Sequence, residues 1–532
     1  MSLNKELYRA LEDVLGPENV SDDPVITYSY VTRNHEVEKI TGMSTPMFEA
    51  VTLPENTEQV QAIVKLCNKY KIQYKAASTG WGPYGNPCGP DCIRIDLRRM
   101  NRIIEINEKS MYAVVEPYVL YATLHAECIK RGLNCNITGA GSNCSALPLA
   151  AHANLGQLSV SGSWGERNLL AFEWVTPDGE IVRAGSLDSL GEWFSGDGPG
   201  PSLRGLIRGD GTPLGGLGVY TKAAQKLYHW PGPSVFPVEG ISPHYHSQVP
   251  PNFFIRYYHF PSSQAQHDAM MKIGESEIAF ILMGFNISMI TSNFATSNSE
   301  EQELAKKYLG EVQGPGCVII IAGNSSGDLE YKKEVLQQIV EAEKGKSLDL
   351  VEDPSNAGGF IWRWTRPTGS IREVKFRAGS TGVGGGTLSA SAESYPLMHR
   401  YVGSLVEDKI DLIKRDLARL ESPDPFVLQL VEHGHGGHGE FMVSGYDNPE
   451  SRKAIEKFNK KVLETGVNGY YGVPTSTWGD RLHDMFGPRA SNYHLWLRKV
   501  KKTFDPNEAS EPSNYISAKE NRKEPPLKGF SG

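Results

Sequence analysis

Residues 48–97 read FEAVTLPENTEQVQAIVKLCNKYKIQYKAASTGWGPYGNPCGPDCIRIDL. A short strand leads into Pro54 and then a helix, because Val60, Ile63, Val64 and Cys67 recur on one helical face. Asn56 followed by Gln59 fits a capping box at its start. A second strand, Gln73–Ala76, runs into the Gly/Pro-rich loop Ser78-Thr-Gly-Trp-Gly-Pro-Tyr-Gly-Asn-Pro87, and a third follows at Ile93–Leu97. A dinucleotide diphosphate requires backbone N–H groups aimed from a concave loop with no Cβ atoms in the way. The loop Thr79–Gly85 has that character, but it is not a G-x-G-x-x-G run opening a helix, so a Rossmann site is not supported.

Working outward, Met100–Asn107 and Tyr112–Pro117 follow, then a helix over Leu120–Arg131 that stops at Gly132. A second run of small residues spans Thr138–Gly165 and contains Gly139-Ala-Gly-Ser-Asn-Cys-Ser145. Leu170–Thr176, the turn Pro177–Glu180 and Ile181–Ala184 read as a hairpin, and Gly215–Thr221 closes the first unit. His229-Trp-Pro-Gly-Pro233 marks a boundary. The domain reading is 1–235, then a second α+β unit over 236–465, a loop-rich aromatic segment over 466–515, and a polar tail over 516–532 expected to be disordered. Helices are predicted near Ser262–Ile273, Glu330–Glu343, Gly403–Leu420 and Pro449–Thr465, and strands at Ser276–Phe285, Val318–Ala322 and Phe426–Val431. In the third helix Val406, Ile410, Ile413, Leu417 and Leu420 form the apolar face.

With 532 residues, 39% hydrophobic and 22% charged, the chain suits two globular units. A net charge of −8 without a Lys/Arg run argues against a nucleic-acid surface. The apolar runs Ile278–Phe285 and Cys317–Ala322 are too short to span a bilayer, so no membrane span is expected. The N-terminus opens on an amphipathic helix rather than a signal peptide, which points to the cytoplasm. Seven scattered Cys without a CxxC pair exclude a disulfide framework; Cys88 and Cys92 read as reduced loop cysteines.

The order of these parts resembles the vanillyl-alcohol-oxidase/p-cresol-methylhydroxylase flavoprotein superfamily, the PCMH-type FAD-binding fold. The resemblance rests on Leu53–Thr57, Ser78–Gly85, Ile95–Ile103, Tyr112–Pro117 with Leu124, Glu173–Glu180, Gly215–Thr221 and Arg498–Asn507. It implies an α+β chain: a PCMH-type FAD-binding domain of two α/β subdomains, a substrate cap with an antiparallel sheet, and a C-terminal return to the FAD domain. It implies FAD as cofactor, with the diphosphate held by Thr79, Gly80, Trp81, Gly82, Pro83, Tyr84 and Gly85 and by Gly141, Ser142, Asn143, Cys144 and Ser145. Trp164 and Gly165 would lie along the flavin, and Gly218 and Val219 would meet the adenine. The berberine-bridge branch's flavin-linking His is replaced within Gly80–Pro83, so that linkage is absent. The phenol branch's Tyr is replaced by Trp81, and its late Tyr-Arg pair by Tyr470-Tyr471.

The sharpest local feature is Val431-Glu-His-Gly-His-Gly-Gly-His-Gly-Glu440. On a strand His433 and His435 would face one side, and His438 and Glu440 would fold back through the glycines, which suits a divalent metal such as zinc or iron. The glycolate-oxidase/D-lactate-dehydrogenase branch has a similar metal-ligating segment. The alternative is a metal-free pocket loop whose His act as bases. Arg363 and Arg366, in Ile361–Pro367, read either as a bidentate clamp for a substrate carboxylate or as an ordinary basic cap strand with Arg–Trp stacking. The functional expectation is an FAD-dependent dehydrogenase, rather than an oxidase, of a small alcohol, 2-hydroxy acid or aromatic alcohol. His435, His438, Tyr471 or Tyr470 would serve as base, and Trp81 would face the substrate. Expected partners are a small-molecule substrate, an electron-acceptor protein or iron–sulfur subunit, and a second copy of the chain. Two other readings stay open: a flavin-binding electron-transfer subunit, and a phenol oxidase of the vanillyl-alcohol type.

Overall fold

The computed structural model describes residues 3–31, 46–79, 85–87, 89–139, 141–152, 156–184, 193, 202–209, 215–241, 244–291, 293–353, 356–365, 383–390, 395–420, 422, 427–446, 448–469, 471, 473–474, 479–512 and 515–519.

Three sheets position the site. The first runs in the order Val20–Ser21, Ala50–Thr52, Cys92–Asp96, Gln73–Ala77, with its last two joins parallel. Parallel pairing demands a crossover, and the helix Thr57–Tyr70 supplies it, burying Val60, Ile63, Val64 and Cys67 as their spacing predicts. The Asn56 side chain accepts from the Gln59 N–H, but Gln59 Oε1 reaches back to the N–H of Glu55, one residue beyond a standard capping box.

The second sheet is antiparallel throughout, in the order Ile103–Asn107, Tyr112–Val115, Val219–Lys226, Leu169–Val175, Ile181–Ala184. On its strand Leu169–Val175 the buried Glu173 carboxylate accepts from Thr57 Oγ1 at 2.6 Å, Lys222 Nζ at 2.7 Å, Arg183 Nε at 2.8 Å and Thr221 Oγ1 at 3.0 Å. Burial alone would raise its pKa; the hydrogen bonds from Lys222, Thr57 and Arg183 outweigh that and bring it to about 2. Glu173 thereby joins the first crossover helix to the second sheet.

The cap is built on an eight-stranded antiparallel sheet, ordered Lys346–Ser347, Phe253–His259, Gly316–Ala322, Ile281–Phe285, Val427–Val431, Gly436–Ser444, Val383–Ala390, Val473–Pro474. Side chains alternate between its faces. One face, with Leu282, Ile319, Leu428, Phe441 and Val443, is sealed by the helices Ser263–Glu275, Ser326–Ala342, Tyr395–Gly403 and Pro449–Gly469. The other face, with Tyr257, Met283, Phe285, Val318 and Val427, packs on Phe360 and Trp364 of the helix Ala357–Thr365.

Several expectations are corrected. The helix predicted over Gly403–Leu420 spans only Val406–Lys414 and buries Lys409 and Leu412, while Ile410 is exposed. The chain reverses at Asp416, whose φ is +54°, so Leu417 enters the core from beyond the turn. The strand predicted from Ser276 begins at Ile281, because the preceding helix runs to Glu275. The cap passes residue 465, since its sheet takes Val473–Pro474 as an edge strand. The segment 466–515 holds the helices Gly479–Phe486 and Tyr493–Phe504. Ile516 and Ser517 are buried, and Ser517 donates from both its N–H and its hydroxyl to Asp480, so the first part of the expected disordered tail is anchored. Among the described residues no helix is long and apolar enough to cross a membrane.

Candidate functional site

The two glycine-rich runs meet. Thr79 donates its N–H to Ser145 Oγ at 3.2 Å, and their hydroxyls stand 3.0 Å apart. The helix Tyr121–Ile129 has no side-chain cap, and the second run serves instead: Tyr121 N–H donates to the Cys144 carbonyl at 3.0 Å and Ala122 N–H to that of Ser142 at 2.8 Å. Gly141 turns with φ +125°, and Asn143 is exposed at the tip. On the first run, the Gly85 carbonyl accepts from Arg94 Nη1 at 2.7 Å, and a Cβ at Gly85 would stand 3.0 Å from that nitrogen. A polar cleft of about 200 Å³ opens here, lined by Ser78, Thr79, Gly85 and Asn86 together with Tyr30, Arg94, Asp96 and Arg98. Gly80, Trp81, Gly82, Pro83, Tyr84 and Cys88 lie outside the described residues.

The C-terminal return completes this region. Tyr74 donates its N–H to Ala509 and accepts from Glu511, so residues 509–511 add on to the strand that feeds the first loop. Lys75 and Glu511 form a fully buried ion pair at 2.9 Å. Ser510 Oγ accepts from the Gly218 N–H at 2.8 Å, which takes that amide away from an adenine contact. Gly218 has φ +79°, and a Cβ there would meet the Val175 carbonyl at 2.3 Å. Val219 pairs with Val175 in the second sheet.

At the junction of FAD domain and cap, the buried Trp164 ring lies 5.4 Å from that of His438 and packs on Val431. Gly165 opens the short 3-10 helix Gly165–Asn168 beside it. His438 is buried, and its Nε2 stands 3.1 Å from Glu440 Oε1, two residues on along the same face of the strand Gly436–Ser444. That face is the one opposite the helical layer. His433 and His435 are not on a strand: they occupy the turn that joins the two strands, with His433 at φ +59° and His435 exposed. The turn breaks the alternation that a four-ligand reading of His433, His435, His438 and Glu440 requires, and no group of three His, Cys, Asp or Glu able to hold a metal occurs among the described residues. The zinc or iron expectation is unsupported.

Tyr471 packs on Tyr401, ring centroids 5.3 Å apart, within the helical layer and therefore on the far face of the sheet from His438. Arg363 lies on a helix, not a strand; it is buried, and Nη1 donates to the Asn293 carbonyl. Tyr470 and Arg366 lie outside the described residues. His483 is buried with Nδ1 2.9 Å from the Tyr493 hydroxyl, and burial pushes its pKa down to about 4. Sequence reading missed Glu432. Its carboxylate accepts from the Trp164 N–H at 3.3 Å and from Arg167, while its own N–H and that of His433 donate to Ser159 and Val160. A carboxylate just before a Gly/His turn was the available signal.

Residues 48–185 match the family model for an FAD binding domain. The D-lactate dehydrogenase [cytochrome], mitochondrial, of Arabidopsis thaliana is 22% identical over 521 residues, covering 96% of this chain and 80% of that one. The 4-cresol dehydrogenase [hydroxylating] flavoprotein subunit of Pseudomonas putida is 28% identical over 38% of each chain. The solved structure of p-cresol methylhydroxylase with substrate bound superposes with a TM-score of 0.73 at 16% identity, covering 97% of this chain and 98% of that one. The chain has the fold of the PCMH-type flavoproteins, with an FAD binding domain over residues 48–185. Its mixed helix and antiparallel sheet are those of the solved flavoprotein structures it superposes on. The joined loops fit a diphosphate held between them: Thr79 and Ser145 bring the two small-residue runs together, and at Gly85 an added Cβ would crowd Arg94 Nη1 at 3.0 Å.

Proposed function

We propose that the chain oxidises a small alcohol, a 2-hydroxy acid or an aromatic alcohol, with His438 taking the hydroxyl proton. The observation that carries this reading is the His438–Glu440 pair, set on the cap-sheet face that meets Trp164 of the FAD domain. Bound FAD supplies the two-electron acceptor for the substrate C–H hydride. As the C–OH group becomes C=O, its proton passes to the His438 imidazole, and the Glu440 carboxylate stabilises the cation that forms. Trp164, fixed between His438 and Val431, walls the junction and excludes water. We assign reoxidation to an external electron-carrier protein or iron–sulfur subunit, which makes the enzyme a dehydrogenase; the cytochrome-linked name of the Arabidopsis relative supports that choice.

The test is anaerobic bleaching of the flavin absorbance by a panel of alcohols, 2-hydroxy acids and aromatic alcohols. One class should bleach the wild type, and His438→Asn should slow the bleaching by roughly 10²- to 10⁴-fold while FAD stays bound. Equal rates in the two proteins would remove His438 as the base. A wild type that no member of the panel reduces would leave an electron-transfer subunit as the better description.

A further inference from the structure

Arg94 sits in the middle of the first sheet, level with Val51 and Lys75 on the flanking parallel strands. Side chains level with one another in a sheet share a face, so two cations, Lys75 and Arg94, lie side by side in the interior. Lys75 is neutralised by Glu511 at 2.9 Å. Arg94 is not. It is only 6% exposed, and no carboxylate of the described residues stands within ion-pair distance. Asp96, two residues on, is engaged by Arg98 through both its backbone N–H at 2.9 Å and its Nε at 2.6 Å. Arg94 Nη1 binds only the neutral Gly85 carbonyl, its Nε has no partner, and its guanidinium lies 5.6 Å from the Phe48 ring and 5.8 Å from the Tyr30 ring.

A buried charge left without a counter-charge is among the costliest features a fold can carry. Arg94, Arg98 and Asp96 together leave one net positive charge lining the cleft of about 200 Å³. The same cleft is lined by the described ends of the first glycine-rich loop, Ser78, Thr79, Gly85 and Asn86. We propose that Arg94 is the counter-charge for the FAD diphosphate, acting from behind the loop whose Gly85 it also holds. This assigns to a strand residue a share of a task otherwise carried by backbone amides. A planar guanidinium suits it, since one edge is able to grip the loop while another faces a phosphate oxygen.

The inference rests on FAD binding, and its test separates the two. Flavin-stripped protein is titrated calorimetrically with FAD, ADP and adenosine. Wild type should bind ADP at least tenfold more tightly than adenosine, and more salt should erode only the ADP affinity. Arg94→Met should weaken FAD and ADP by about 10- to 100-fold and leave adenosine unchanged, removing the discrimination. Arg94→Lys, which keeps the charge without the fork, should fall between the two. If Arg94 serves only to fold the loop, all three ligands weaken together in Arg94→Met, and the proposal fails. It fails equally if the ADP-to-adenosine ratio is unaltered. Should Arg94→Met not fold, Arg94→Lys and the thermal stabilisation of wild type by inorganic pyrophosphate decide: no rise in melting temperature overturns the proposal. A wild type that binds ADP but not FAD would overturn the flavin reading instead.

Discussion

The C-terminal return and the Glu432 turn both fasten a distant stretch of chain to the FAD domain, and they do so by opposite means. The return arrives fully neutralised. Lys75 meets Glu511, Lys501 meets Asp505, and Arg498 meets Asp480, each of these side chains at most 4% exposed. The Glu432 turn holds on with two backbone hydrogen bonds and a carboxylate that is 24% exposed. It also places Glu432 at φ +50° and His433 at φ +59°, in the left-handed region where side chains are strained. Buried, hydrogen-bonded ion pairs are costly to break, whereas a strained turn with a partly wet ion pair opens cheaply. The difference divides the labour: the return is firmly fixed, and the joint beside Trp164 and His438 is the easier of the two to open.

The contrast predicts its largest effect at the return. Lys75→Met removes the buried cation 2.9 Å from the Glu511 carboxylate and should cost about 3–5 kcal/mol in guanidinium unfolding. The double variant Lys75→Met with Glu511→Leu should recover most of that loss. A Lys75→Met protein as stable as wild type would mean that the return is not the firmly fixed element. Somewhat smaller is the acid response of Glu173, which belongs to the same scaffold. Its folded pKa, about 2 against an ordinary 4.5, lies below the unfolded value, so its stabilisation is complete above pH 4.5 and is lost as pH falls towards 2. At about 1.4 kcal/mol per pH unit this amounts to about 3 kcal/mol. Burial holds His152, His399 and His483 at about 4, below the ordinary 6.5, so their loss comes earlier, between about pH 6.5 and 4. Urea unfolding followed from pH 7 to 2 should therefore fall in two limbs, and Glu173→Gln should flatten only the lower one.

What the sequence made legible follows the same division. The crossover helix and the two glycine runs could be read because a helical face and a Cβ-free loop are local patterns, whereas the meeting of the runs followed only from the family resemblance. The return was foreseen as a connection, but its two helices were hidden: Gly479–Phe486 and Tyr493–Phe504 are short, and polar residues that pair only in the fold interrupt their faces. Arg94 went unread because a cation in a strand usually marks solvent, and only the parallel neighbours on both sides show it to be interior. The Gly/His segment misled for the converse reason. Its composition suggested four ligands, yet register is not local: a turn at Glu432–Gly434 sends His433 and His435 away from the strand face that carries His438 and Glu440. Tyr471 likewise sits in the helical layer against Tyr401, before the edge strand Val473–Pro474 begins, and so away from His438.

The smallest expected effect tests the more easily opened joint itself, because there a tie and a strain oppose each other. Glu432→Ala removes the carboxylate that holds Trp164 N–H and Arg167 but keeps a Cβ in the left-handed region. It should lower global stability by about 1 kcal/mol. Glu432→Gly removes the same carboxylate and also releases the strain, so its unfolding midpoint should lie close to wild type. Both variants should speed hydrogen exchange at the Trp164 amide and across residues 159–168, since the tie is lost in each. If the exchange stays slow in both, the turn is not what holds the joint. If Glu432→Gly is as unstable as Glu432→Ala, the left-handed backbone carries no strain, and the joint is as firmly built as the return.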